Sequence, residues 1–347
     1  MRLVFITDTL CSGGAEKVIS ILANNFGKVY PTEIICLRKR DVFYHIEHQV
    51  NVVQAEDYAQ GIIGRALWLR RYLRDDDIII PFMVKVYCVV LLSLLGEKRL
   101  VIASERNDPK MTSAPWRVLR RLVLHKMTLL IVQSQSIKEY FPKQFYSKIR
   151  IIRNPLDLNQ CSNNCWNKES KLILAIGRTD PQKNYPMMIR AFNNVLKTNP
   201  DYKLEIWGSR NESEIALNEL INSMQANNNI SIHGRTNDVK TLYSRAYMFV
   251  MTSDYEGMSN ALIEALCSGL PVISTKVSGA IDLIEDNKNG LLVDIGDEMG
   301  TTTAMNKLIE DPLFAGKIAK EAYKQRSLFD VNTIVKEWDT IIQQYIK

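Results

Sequence analysis

Two carboxylates lie eight positions apart in the run Tyr255-Glu256-Gly257-Met258-Ser259-Asn260-Ala261-Leu262-Ile263-Glu264. An ionised glutamate accepts hydrogen bonds at about four lone-pair sites, which suits the vicinal hydroxyls of a sugar or a ribose. Upstream, Gly177-Arg178 is followed by Lys183-Asn184. Arginine offers a planar fork of donors and lysine a point charge, so together they suit negative charge that builds on a departing diphosphate. Each feature also has a plainer explanation. A glutamate near a helix N-terminus complements the helix dipole without any ligand, and loop cations pair with local carboxylates such as Asp180.

These side chains need elements to hold them. The apolar run Ala246-Tyr-Met-Phe-Val-Met251 reads as a strand ending at Thr252-Ser253-Asp254, with Glu256 in the loop above it. Ser259 or Asn260 can cap a short helix that Gly269 and Pro271 terminate, which puts Glu264 about one turn inside it. Both carboxylates are then expected on one crevice, where open α/β sheets take ligands. Arg178 and Lys183 follow the predicted strand 172–176 in the same manner. Further strands are expected near residues 3–7, 32–37, 77–81, 99–104, 129–133, 203–207, 230–233, 271–274 and 290–293, with helical patterns between them. From Pro155 to Ser170 the sequence is polar and aperiodic, as a linker would be. A chain of 347 residues exceeds what one core usually serves. The expected architecture is therefore α/β, with two Rossmann-like doubly wound domains at residues 1–160 and 170–331 and an amphipathic helix over 332–347.

Net charge is +6, and its distribution is uneven. Residues 1–160 carry 24 Lys and Arg against 15 Asp and Glu, whereas residues 161–347 carry 20 against 23. Two segments concentrate the excess, Arg65 to Arg74 and Trp116 to Lys126, each combining helical apolar spacing, Trp and basic residues. Such helices suit an anionic membrane interface, although an amphipathic helix packed on a sheet has the same pattern. The longest apolar run, Val86 to Leu95, is too short to span a bilayer. The N-terminus reads as a first buried strand rather than a signal peptide, so the expected location is cytoplasmic, peripheral to the inner face of the membrane. Six scattered cysteines and four histidines offer no structural zinc set. Asp75-Asp76-Asp77 has the composition of a metal-binding carboxylate group, but its place between a basic helix and a strand reads as a solvated turn.

Taken whole, Glu256-Gly257 through Glu264-Ala265 and Ser268-Gly269-Leu270-Pro271, preceded by Gly177-Arg178 and Lys183-Asn184, resembles the signature of the family 4 retaining glycosyltransferases of the GT-B fold. The resemblance implies two Rossmann-like domains facing a cleft, the first binding acceptor and the second a nucleotide-sugar donor. It implies that Glu256 contacts the donor sugar, Glu264 the ribose, and Arg178 and Lys183 the diphosphate. Gly177, Met258, Ser259 and Asn260 line the donor, and Arg235, after Gly234, belongs to a loop that reads the nucleobase. Gly13 and Gly14, in Ser12-Gly13-Gly14-Ala15-Glu16, face the leaving phosphate and acceptor. Glu105 and Arg106 fall on that side too, where many members have His in place of Arg106. The Ser-Glu-Arg-Asn form is similar to members acting on undecaprenyl-diphosphate-linked glycans. No cofactor, metal or nucleic acid is implied; the partners are a nucleotide-sugar, most simply UDP-linked, a polyprenyl-diphosphate-linked glycan and an anionic membrane surface. A GT-B nucleotide-sugar epimerase or a non-catalytic sugar-nucleotide-binding subunit would share most of these features.

Overall fold

The computed structural model describes residues 1–11, 13–162, 166–209 and 211–346. The chain forms two compact units, one of residues 1–155 with 331–347 and one of residues 156–330. The boundary, between Pro155 and Leu156, lies at the start of the polar segment from Pro155 to Ser170. Polar composition marks a surface-running segment, but here that segment is attached to the second unit: Leu156 bridges Asp330 and Arg326 donates to the Leu158 and Ser162 carbonyls at 2.7 and 3.1 Å.

The first unit is built on a parallel sheet of seven strands: β1 (Leu3–Thr7), β2 (Thr32–Cys36), β3 (Val50–Gln54), β4 (Ile78–Pro81), β5 (Leu100–Ser104), β6 (Leu129–Val132) and β7 (Ile149–Ile151), in the order β3-β2-β1-β4-β5-β6-β7. The inner strands are apolar on both faces because helices cover both, which is why they read as short continuous runs. The edge strands β3 and β7 were not anticipated. One face of each is exposed, so they lack such a run. The run from Val86 resolves as the buried helix Val84–Ser93. The terminal helix Val331–Gln343 packs on this unit through Ile334, Trp338 and Ile342, all fully buried.

The second unit has six parallel strands: β8 (Leu172–Ile176), β9 (Lys203–Trp207), β10 (Ile230–His233), β11 (Met248–Met251), β12 (Val272–Thr275) and β13 (Leu291–Val293), ordered β10-β9-β8-β11-β12-β13. The chain runs outward from β8 to β10, then returns to the other side of β8 and runs outward again through β13. Chain direction across the sheet therefore reverses between β8 and β11, and a crevice opens beyond their carboxyl ends. Both adjacent turns carry the charged residues singled out above.

Candidate active site

The turn after β8 begins at Gly177 and Arg178 and closes in the short helix Pro181–Lys183. Asn184 follows with φ of 46°, a left-handed conformation that Asn tolerates, and its side chain caps the helix Tyr185–Leu196. The turn after β11 runs through Thr252, Ser253, Asp254 and Tyr255 to Glu256. The two turns are stitched together. The Asp254 N–H donates to the Gln182 carbonyl at 2.9 Å, the Gln182 amide to the Tyr255 carbonyl at 2.8 Å, and the Asn184 amide to Asp254 at 2.8 Å. Thr252 donates to the Lys183 carbonyl at 2.9 Å. Across this frame the Lys183 ammonium pairs with Glu256 Oε1, each side chain only 13% exposed. Arg178 pairs with Asp180 at 3.1 Å and stays largely in solvent.

Three glycines allow the turns to approach. A Cβ on Gly208, after β9, would lie 1.9 Å from the Gly177 carbonyl oxygen, and one on Gly279 would lie 1.7 Å from that of Gly257. A Cβ on Gly177 would meet Lys183 Cε at 2.8 Å and the Tyr185 hydroxyl at 2.9 Å. Ser278-Gly279-Ala280 is thus a backbone support for the Glu256-Gly257 loop. Ser259 caps the helix Asn260–Cys267 by accepting from the Leu262 N–H, with Met258 buried beneath it. Glu264 lies in that helix. It is buried, and Oε2 accepts from the Tyr243 hydroxyl at 3.0 Å. Burial beside this carboxylate drives the Tyr243 phenol far above its ordinary range. Glu264 is therefore covered, and less open than the shared crevice expected from the sequence.

Residues 161–325 match the family described as glycosyl transferases, group 1. Over 99% of both chains, the sequence is 28% identical to the GalNAc-alpha-(1->4)-GalNAc-alpha-(1->3)-diNAcBac-PP-undecaprenol alpha-1,4-N-acetyl-D-galactosaminyltransferase of Campylobacter jejuni. A second C. jejuni enzyme, the N-acetylgalactosamine-N,N'-diacetylbacillosaminyl-diphospho-undecaprenol 4-alpha-N-acetylgalactosaminyltransferase, is 25% identical over 95% of this chain and 96% of its own. The crystal structure of Anabaena HepE in complex with UDP and glucose superposes with a TM-score of 0.83 over 99% of this chain and 100% of that one, at 20% identity. The chain has the GT-B fold of that structure, and its second half resembles the group 1 glycosyl transferases.

The first unit places its own candidates differently. Gly13 precedes the helix Gly14–Phe26 after β1, where that sheet also reverses, between β1 and β4. Its carbonyl accepts from the Tyr44 hydroxyl at 2.9 Å, and the Glu16 carboxylate folds back to within 2.2 Å of where a Gly13 Cβ would stand. Glu105 and Arg106, expected to face a ligand, are both buried. Glu105 accepts from Tyr87 at 2.9 Å and lies 3.7 Å from Arg120; burial raises its pKa even so. Arg106 donates to Ser104 at 2.7 Å and Asn154 at 2.9 Å, with its guanidinium over the Phe82 and Trp338 rings. Burial pulls it down to about 9, so it stays charged at neutral pH. Arg106 thus joins the ends of β5 and β7 to the terminal helix. The sequence placed it correctly at a strand end, but burial depends on Trp338, more than two hundred residues away.

The carboxylates of Asp75, Asp76 and Asp77 pair with Arg99, the Met1 amine and Arg2 respectively. At the far edge of the second unit, Trp207 stacks on His233 with ring centroids 4.3 Å apart, next to Gly234 and Arg235. Tyr185 and Tyr243 were missed by sequence reasoning. Tyrosines in helices read as core residues, and only the fold brings their hydroxyls to Gly177 and Glu264.

Proposed function

We propose that this chain is a glycosyltransferase that moves a hexose or N-acetylhexosamine from a UDP-sugar to a polyprenyl-diphosphate-linked glycan, with retention and without a metal, in the assembly of a bacterial surface polysaccharide. The Lys183–Glu256 pair across the turns after β8 and β11 carries this reading. It sets a cation for a diphosphate and a carboxylate for sugar hydroxyls side by side, at the place where a doubly wound sheet takes its ligand. In the structure the two groups neutralise each other. A donor would exchange this pair for two better-matched contacts, ammonium to phosphate and carboxylate to sugar. Arg178, exposed and pivoting on Asp180, adds charge where the leaving group develops it. Proton transfer from the acceptor hydroxyl to a donor phosphate oxygen asks for no protein base. Glu264, held by Tyr243, is assigned to the ribose, Met258, Ser259 and Asn260 to the donor-lining turn, and the Arg235 loop to the base. Gly13 and Gly14, at the start of the helix after β1, are assigned to the phosphate and acceptor side.

The C. jejuni relatives support the acceptor class, and the HepE complex supports a UDP-linked donor. A peripheral place at the cytoplasmic membrane face follows from such an acceptor and from the first unit's surface. No helix among the described residues is long and apolar enough to cross a membrane. The helices Gly61–Tyr72 and Ala114–Val123 instead expose Ile63, Leu67, Val118 and Leu122 among Arg70, Arg71, Arg117 and Arg121. Donor turnover with UDP- and GDP-sugars, with and without a polyprenyl-diphosphate-sugar acceptor and in EDTA, tests the whole reading. The expected outcome is acceptor-dependent nucleotide release that survives EDTA and falls at least a hundredfold in Glu256→Ala and Arg178→Ala, as loss of a charged transition-state contact does. Conversion of donor without acceptor would identify an epimerase instead.

A further inference from the structure

Two polar atoms beside the Lys183–Glu256 pair are buried and have no hydrogen-bond partner: the Tyr185 hydroxyl and Asp180 Oδ1. Tyr185 is 3% exposed, and its phenol is pushed far above its ordinary pKa by burial and then by the charges of Asp180 and Glu256, so it remains a neutral hydroxyl. A buried hydroxyl without a partner costs stability, and natural structures keep such groups where they serve another state of the molecule. Position indicates which state. The Tyr185 hydroxyl and Lys183 Cε approach one point from two sides, 2.9 and 2.8 Å from where a Gly177 Cβ would be. The lysine stem therefore passes beside the phenol on its way to Glu256.

We propose that Tyr185 is a positioning residue for Lys183. An ammonium has three N–H donors to place. When donor binding draws Lys183 away from Glu256, the diphosphate takes part of that capacity and the Tyr185 oxygen takes another. The lysine is then held in its diphosphate-bound rotamer, and Glu256 is released to the sugar. Glycine at 177 is required because any side chain would fill the gap through which the lysine stem and the phenol meet.

This inference rests on the donor reading given above, and its test separates the two. Thermal unfolding and calorimetric binding of UDP, uridine and inorganic pyrophosphate are compared for the wild-type enzyme and Tyr185→Phe. Removing an unpartnered hydroxyl should leave the ligand-free melting temperature unchanged or raised, while UDP and pyrophosphate bind roughly tenfold more weakly and uridine binds as before. Equal UDP affinity in the two proteins, or a loss shared equally by uridine, would overturn the role of Tyr185 while leaving the donor reading in place. A wild-type protein that binds neither UDP nor pyrophosphate would overturn both.

Discussion

At the scale of single residues, side chains with similar sequence credentials divide by burial. Lys183 and Glu256 are partly open and paired, Arg178 is exposed and paired with Asp180, and Glu105 and Arg106 are enclosed in the first unit. For Glu105 enclosure has a measurable consequence. Burial raises its pKa above the 4.5 of an exposed glutamate, outweighing the Arg120 charge. Between those two values the folded protein keeps a proton that the unfolded chain has lost, so stability falls as pH rises through the window. Glu105→Gln, which still accepts from Tyr87, removes this dependence. The melting temperature of the variant should therefore gain on the wild type as pH rises from about 4.5; a difference that stays flat with pH would show that the folded carboxyl titrates normally. The motif around Glu256 was legible because its residues are contiguous. The enclosure of Arg106 was not, since no local pattern announces a tryptophan from the end of the chain.

At the scale of elements, strand ends and helix starts do the positioning. Strands β8 and β11 pair directly, Met248 with Ile173, and so bring together turns that are some seventy residues apart in sequence. The terminal helix works in the same way for the first unit. Trp338 is fully buried among apolar residues of that unit's core, its ring stacked 6.3 Å from Phe82 and facing Arg106. Trp338→Ala should cost about 3–5 kcal/mol by denaturant titration, within the range for truncating a buried aromatic side chain. A cost under about 1 kcal/mol would mean that the helix contributes little to this unit. The helix was visible from its periodicity and the inner strands from their apolar runs. The edge strands Val50–Gln54 and Ile149–Ile151 were not, because a half-exposed strand of three to five residues carries too few apolar positions to stand out from a loop.

At the scale of the molecule, the uneven charge acquires a surface. The basic segments form helices, yet Arg120 turns inward to Glu105 and Tyr140, and both tryptophans pack inward, Trp68 against Tyr58 and Tyr72 and Trp116 on the core. What remains outside is aliphatic and basic: Val118 and Leu122 beside Arg117 and Arg121. The wild-type protein should sediment with vesicles containing anionic phospholipid, less so as salt rises. Arg117→Gln with Arg121→Gln should bind roughly thirtyfold more weakly, at about 1 kcal/mol per basic residue. Equal binding to neutral vesicles would assign the affinity to the aliphatic side chains alone. The sequence by itself determined the class of the molecule: two alternating α/β patterns, cations after one strand and carboxylates after another, and a basic first half. These follow from local spacing, since periodicity and turn residues are properties of short stretches of chain. Tertiary structure alone decided that Lys183 meets Glu256, that Tyr243 covers Glu264, that Arg106 lies under Trp338 and that Tyr185 waits beside Gly177. Such pairings depend on which strands become neighbours, and strand order is set by the packing of the whole sheet.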